Sequence, residues 1–536
     1  MVGGMNRTVS LERLASEDEP FDLLIIGGGA TGLGTAVDAA ARGYSVALVE
    51  QADFAKGTSS RSTMLVHGGV RYLKQGNISL VREALHERAL LHANAPHLVR
   101  ELAFVIPNYG WFDEALYGVG LKAYDLLAGS ANLSPSRILN REQTIAELAT
   151  VRQEELVGGV MYFDGQFDDS RLAISLARTA SERGAVLANY TAARGLVKEG
   201  GKVRGVELED VETGRQFTVR ARCVVNATGV FVDAVRQMDE PAAEEIVAVS
   251  QGVHMVLPRE FLPGNSALMV PKTADGRVLF AVPWHGHVVL GTTDTGVPRP
   301  ALEPRALAEE VEFLVIHAEK YLGRAPKQAE VRSIYAGLRP LVRKGGAGAG
   351  GPTSAISRDH TILVSESGLL TVSGGKWTTY RKMAEDVVDT VQEIADFAKR
   401  ECGTEHLRIH GYLGPDSEVD FDDDLGVYGA DARFVRELAR ETPALAERLH
   451  PELPYLAAEV IWQARNEMAR TVEDVLARRT RILLLHARGS IEAAPRVAEL
   501  LAEELAWTAE RRVAEIDKFT RLAKGYVLGE IGAVLP

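Results

Sequence analysis

Cysteine is nearly missing from this chain: Cys223 and Cys402 are the only two in 536 residues. That is too few for a disulfide framework and fits a reducing compartment, with both thiols read as inert. Long apolar runs are missing too. Nothing approaches the ~18 consecutive apolar residues of a membrane-spanning helix, and Ile482-Leu483-Leu484-Leu485 is only a short patch. Residues 1–19 lack the apolar core of a secretory leader and read as a loose tail. There is no excess of positive charge: 60 Lys and Arg stand against 73 Asp and Glu, for a net −13. Nucleic acid is therefore not expected as a partner, and an anionic substrate must be met by local cations.

What remains is an ordinary globular composition, 46% hydrophobic and 25% charged, in a chain long enough for two to four domains. The most informative stretch is Leu23-Leu24-Ile25-Ile26-Gly27-Gly28-Gly29-Ala30-Thr31-Gly32. A buried strand runs into a glycine turn and then into a helix over residues 30–41. Gly27 permits the tight turn, Gly29 lets the backbone approach a diphosphate, and Gly32 lets the helix sit close on the strand. The helix N-terminus favours an anion. A second strand, 45–49, ends at Glu50, whose carboxylate can accept hydrogen bonds from a ribose diol and disfavours a 2′-phosphate. The whole reads as a grip for FAD or NAD.

Further along, Thr58, Ser59 and Ser60 lie in a small, polar loop able to wrap a cofactor. Cys223-Val224-Val225-Asn226-Ala227-Thr228-Gly229 is an apolar strand ending in a second close backbone approach. Ser373-Gly374-Gly375-Lys376-Trp377-Thr378 is a second glycine turn opening a helix, where N–H groups can stabilise negative charge on a flavin and Lys376 can hold an anion. With no separate NAD fold apparent, these turns narrow the cofactor to FAD. Residues 103–165 break into short pieces around Pro107, Gly110, Gly118, Gly120 and Pro135 and read as an insertion. From about His406 the pattern is helical, with helices expected over 456–470, 471–487 and 495–518. The basic turn Ala477–Arg481 followed by Ile482–Leu485 reads as a buried helix face, or else as a partner or lipid surface. His86, His92, His285, His287 and the aspartates 420, 422 and 424 lack metal-ligand patterns, so no metal is expected. The Gly345–Gly351 loop is a lid or a linker.

IIGGGATGLG, TMLVHGGVRYL, VVNATG, YAGLRPLV and SGGKWTTYR, in this order and at these separations, resemble the FAD-dependent, quinone-linked glycerol-3-phosphate dehydrogenases over about residues 20–400, with a helical tail like that family's cap domain. The resemblance implies an α/β fold: a Rossmann-like FAD-binding domain of the glutathione-reductase/D-amino-acid-oxidase type, an α+β substrate domain and a C-terminal all-α cap. The expected boundaries are 20–95, 166–240 and 331–400 for the FAD-binding domain, 96–165 and 241–330 for the substrate domain, and 401–536 for the cap. It implies oxidation of sn-glycerol 3-phosphate to dihydroxyacetone phosphate, with electrons passed through FAD to a membrane quinone. It also fits a cytoplasmic enzyme lying peripherally on the inner face of the membrane, as a homodimer.

On the matched motifs, Arg71, Arg339 and Lys376 are the cations for the substrate phosphate, and Tyr72 adds a donor. His254 is the first candidate base, His67 the second. Thr58, Ser59, Ser60, Asn226, Thr228, Gly229, Gly374, Gly375, Trp377 and Thr378 join Gly27, Gly29, Gly32 and Glu50 along the cofactor. Two other oxidoreductase readings stay open: a glycerol-3-phosphate oxidase making hydrogen peroxide, and a different FAD-dependent 2-hydroxy-acid or amine oxidoreductase. A flavin-bearing binding protein without turnover is the reading from another class.

Overall fold

A computed structural model describes residues 4–530, except 17–18, 69–77, most of 111–132, 274–276, 344–359, 415–416, 418–419 and 422. Two sheets and a helical unit carry the chain. In the strand Phe21–Ile26, Leu23, Leu24 and Ile25 have no exposed surface, because the strand is covered on both faces as parallel strands are. It pairs in parallel with Gln216–Asn226 on one side and Val46–Val49 on the other. Leu370–Gly374 and Val186–Ala188 extend this eight-stranded sheet. The helix Ala30–Ala41 packs between Asp169–Glu182 and Tyr380–Ile394.

The second, ten-stranded sheet is largely antiparallel. Its spine is Val247–Pro258, paired along ten residues with Ser333–Val342. Side chains alternate across a strand. Val253, Met255 and Leu257 pack on the helix Ala308–Leu322, which sends Ser250, Gly252 and His254 to the opposite face. The C-terminal unit contains the helices Ala432–Glu441, Ala457–Asn466, Ala487–Glu504 and Ala509–Lys524.

Several expectations are corrected. Residues 103–165 contain no string of short pieces at their ends: Val99–Asn108 and Gly158–Phe167 run antiparallel over ten residues. Glycine admits close backbone approach in the second of these strands: a Cβ on Gly158 would lie 2.5 Å from the Leu139 carbonyl and one on Gly165 2.8 Å from that of Val66, while Gly118 and Gly120 lie outside the described residues. Ser333–Val342 and Leu65–Val66 belong to the second sheet, although they fall inside the segments expected to form the FAD-binding domain.

The expected loose tail contains the helix Arg7–Ser16, docked by the buried Met5, Arg7 and Leu14. Arg7 reaches the Asn189 carbonyl (2.9 Å) and the Asp210 carboxylate (2.5 Å). The long helix expected over 471–487 is a π-helical turn, Asp474–Arg479, a break at Arg481 (φ 63°) and a short helix, Ile482–Leu485. The one expected over 495–518 is divided between Ala487–Glu504 and Ala509–Lys524. Nor is the basic turn a lipid or partner surface. Arg478, Arg479 and Arg481 are buried and paired with Asp53, Glu473, Asp474 and Asp169. Arg71, Tyr72, Asp422 and the Gly345–Gly351 loop lie outside the described residues.

Candidate active site

Between the two sheets lies a cavity of about 890 Å³, near the upper end for small-molecule sites and roomy enough for a large cofactor with a small substrate. Its first end is the glycine turn. Gly27 sits at φ 114°, in the left-handed region that glycine favours, and a Cβ on it would come 2.6 Å from the Ala227 carbonyl. A Cβ on Gly32 would lie 1.9 Å from the Gly27 carbonyl, so only glycine lets the helix start this close to the strand. The first-turn N–H groups of Ala30–Ala41 face the cavity end with the positive pole of the helix. Ser59 Oγ accepts from Ala30 N at 2.9 Å, tying the small-residue loop to this turn.

Glu50 follows the strand Val46–Val49 and lines the wall. Its Oε2 accepts from Gly28 N at 2.7 Å and its Oε1 from Ala52 N at 2.9 Å. Burial pushes its pKa up, while those backbone donors oppose the shift. Each oxygen keeps a second lone pair for a diol. Thr58, Thr228, Gly229, Gly374, Gly375, Lys376, Trp377 and Thr378 line the same cavity. Trp377 Nε1 donates to the Ser59 carbonyl at 3.0 Å, joining the second glycine turn to the loop.

Three expected cofactor positions, Gly32, which seats the helix on the strand, and two side chains, are set back from the wall. Ser60 is buried behind it, its carbonyl accepting from Arg481 Nη2 at 2.9 Å. Asn226 is fully buried and braces the turn: Nδ2 donates to the Val232 carbonyl at 2.9 Å, and Oδ1 accepts from Thr228 Oγ1 at 2.7 Å. A side chain so committed supports the chain that lines the cavity instead of lining it.

At the far end the second sheet supplies the chemistry. Strand register sets Ser250 opposite Arg339, Gly252 opposite Gly337 and His254 opposite Tyr335. Arg339 and His254 are thus two pairs apart on one face. The guanidinium of Arg339 is held by the Thr293 carbonyl (3.2 Å from Nη1, 3.3 Å from Nη2) and by Thr292 Oγ1 at 3.2 Å, with Asp294 Oδ1 at 3.8 Å. Gly252 makes room for it, since a Cβ there would sit 2.4 Å from Nη2. Gly291 does the same for the imidazole of His254, 2.3 Å from Cδ2.

His254 is 2% exposed, stacks on Tyr335 at 4.8 Å, and shares a 2.8 Å hydrogen bond between Nε2 and Thr63 Oγ1. Burial, and then the charge of Arg339, depress its pKa to about 3. The ring is consequently neutral at physiological pH, with a lone pair available. His67 lines the cavity as well, followed by Gly68, whose N–H donates to Asp164 at 3.3 Å. Arg88 holds that carboxylate at 2.7 Å. Phe104, Tyr162, Met269 and Phe280 form an apolar floor.

Asp164, Arg277 and Thr292-Thr293-Asp294, which the motifs do not include, are also on the cavity wall. The Gly-Thr-Thr-Asp-Thr run at 291–295 was a visible signal, since consecutive small polar residues after an apolar strand suit a ligand-facing turn. Asp164 and Arg277 had no such local mark.

The comparisons agree with the cradle. Residues 22–381 match the model of FAD dependent oxidoreductases, and residues 418–512 match the C-terminal domain of alpha-glycerophosphate oxidase. The chain is 40% identical over 548 residues to the mitochondrial glycerol-3-phosphate dehydrogenase of Mesocricetus auratus, covering 96% of this chain and 75% of that protein. It is 41% identical over 532 residues to the probable mitochondrial glycerol-3-phosphate dehydrogenase of Dictyostelium discoideum, covering 92% and 83%. The crystal structure of the glycerol-3-phosphate dehydrogenase from Bacillus halodurans, complexed with FAD, superposes with a TM-score of 0.80 at 31% identity, over 98% of this chain and 99% of that one. With a diphosphate turn, a diol-accepting carboxylate and a second glycine turn around one cavity, this chain binds FAD and belongs to the FAD-dependent oxidoreductases, among the glycerol-3-phosphate dehydrogenases.

Proposed function

We propose that this protein oxidises sn-glycerol 3-phosphate to dihydroxyacetone phosphate and passes the electrons to a membrane quinone. The observation that carries the reading is the pairing of a fixed cation, Arg339, with a neutral imidazole, His254, on one face of the second sheet beyond the FAD cradle. FAD, when bound, supplies the hydride acceptor.

The remaining work falls to side chains. A phosphate dianion in a chain of net −13 needs local positive charge. Arg339 presents a planar fork already oriented by Thr292 and Thr293, and Lys376 adds a second cation on the same cavity wall. Arg71 and Tyr72 are proposed to complete this grip. Loss of hydride from C2 requires removal of the hydroxyl proton, and His254 is our first choice of base, with His67 second. The dianion offsets the charge of Arg339 and so raises the basicity of His254 when substrate is bound. The apolar floor excludes water from the reacting carbon.

In our reading the quinone is met at the membrane surface, on the cytoplasmic face; no helix among the described residues is long and apolar enough to cross a membrane. An oxidase reading is favoured by one observation, the match of residues 418–512 to an alpha-glycerophosphate oxidase domain. Both are tested together. Glycerol 3-phosphate added without oxygen should bleach the flavin absorbance, and a quinone should restore it. Failure to bleach refutes the substrate; rapid oxygen uptake with hydrogen peroxide and no quinone reduction selects the oxidase.

A further inference from the structure

Thr63 is the one side chain hydrogen-bonded to the His254 ring among the contacts resolved, at 2.8 Å from Nε2, and both residues line the cavity. The backbone around it is held from several directions. Ser62 N donates to Asp169 Oδ2 at 2.9 Å, the Ser62 carbonyl accepts from Tyr335 Oη at 3.0 Å, and Met64 N donates to Ser62 Oγ at 3.0 Å. Asp169 is in turn fixed by Arg481 Nη2 at 2.8 Å. Met64 itself sits at φ 60°, a conformation that costs a non-glycine residue energy and persists only where surrounding contacts impose it.

Tyr335 therefore has two tasks in one place. Its ring stacks on His254 with an interplanar angle of 14°, and its hydroxyl anchors the residue preceding Thr63. Histidine and threonine are registered to each other through the same phenol. The Nδ1 atom of His254 is buried with no hydrogen-bond partner among the described residues, so the Thr63 hydroxyl is the hydrogen bond that anchors the ring, at Nε2.

We propose that Thr63 is a positioning residue of the dehydrogenation: its hydroxyl fixes the orientation of His254 for removal of the substrate's hydroxyl proton. The inference rests on the function proposed above. In that step the substrate O–H and C2–H bonds break, a C=O bond forms, the hydride goes to FAD, and the hydroxyl proton goes to the imidazole. A threonine hydroxyl can donate or accept, so it can stay bonded through the change in the ring's protonation.

The test is the pair Thr63→Val and Thr63→Ser, prepared as FAD-loaded full-length protein. Valine keeps the shape and removes the hydroxyl; serine restores the hydroxyl. Thr63→Val should lower kcat by about 10- to 100-fold, the loss of one oriented hydrogen bond at a general base. It should also move the acid limb of the kcat profile and leave FAD content and KM within about threefold, while Thr63→Ser recovers most of the rate. A Thr63→Val enzyme with wild-type kcat and pH profile overturns the proposal. So does a rate loss that accompanies loss of FAD or that serine does not repair. Absence of flavin bleaching in the wild-type protein overturns the reaction reading and this inference with it, whereas a bleaching wild type with an unaffected valine variant overturns this inference alone.

Discussion

Replacing Arg339 by alanine removes two things that the site's geometry couples. The first is a cation preset for an oxyanion: Nη1 and Nη2 share the Thr293 carbonyl at 3.2 and 3.3 Å, and Nη2 also meets Thr292 Oγ1 at 3.2 Å. A hydrogen bond to a charged partner contributes about 1.5–3 kcal/mol, so kcat/KM for glycerol 3-phosphate should fall roughly 10- to 150-fold. The loss should sit mainly in KM, because phosphate is held alike in the ground and transition states. The second is the charge that helps depress His254. Without it the pKa of His254 rises, and the acid limb of the rate profile should move to higher pH. Steady-state kinetics from about pH 3 to 9, a range that includes the depressed pKa of His254, with FAD content read from absorbance, measure both. Arg339→Lys should restore the acid limb better than KM, since lysine returns the charge and not the fork. An alanine variant with KM within twofold of wild type and an unmoved acid limb would refute the placement of the phosphate at Arg339.

Three further outcomes follow from named contacts. Gly32→Ala, whose methyl would stand 1.9 Å from the Gly27 carbonyl, should purify with FAD well below stoichiometric and lose about 1–3 kcal/mol of stability; full FAD occupancy would contradict the close seat of the helix. Arg481→Met leaves Asp169 buried without its 2.8 Å partner and should cost about 3–5 kcal/mol in urea unfolding, so an unchanged midpoint would show the pair to be dispensable. His97, His254 and His287 are depressed to about 3, about 3 and about 4 by burial first of all. Below an unfolded pKa near 6.5, the unfolded chain binds protons that the folded chain does not. Their contribution is therefore fully present above pH 6.5 and declines as pH falls toward 3–4, by at most about 1.4 kcal/mol per pH unit for each histidine. Denaturation midpoints at pH 7.5 and 5 measure it, and equal midpoints would rule it out.

The elements that were legible are those whose reason is local. Asp168 caps Asp169–Glu182 by accepting from Ser170 N and Arg171 N, a helix start that needs only adjacent residues. The glycine turns and the apolar parallel strands were visible because each needs only its own few residues. Misreadings came where distant partners overrode local signals. Pro107 looks like a strand breaker, yet it lies in a paired strand opposite Gly159, where a Cβ would come 3.0 Å from the Ile106 carbonyl. A polar N-terminus with Arg7 in it looks loose until Asp210, Asn189 and Tyr190 accept its guanidinium. The basic run at 478–481 looks like a surface until Asp53 and Asp169, more than four hundred and three hundred residues earlier, are brought against it.

By itself the sequence determined the cofactor grip. Gly27, Gly29, Gly32 and Glu50 span a single strand-turn-helix-strand unit, and the steric freedom of glycine and the charge of a helix end act over that short range. Tertiary structure alone decided which side chains share the far end of the cavity. Alternation along a strand says that His254 and Ser250 share a face, but only the register against Ser333–Val342 puts Arg339 beside Ser250 and Tyr335 beside His254. Only the packing of the 58–64 loop on that sheet brings in Thr63, 191 residues away in the chain. Pairing between strands is set by the sum of many buried contacts, and no short motif carries that sum.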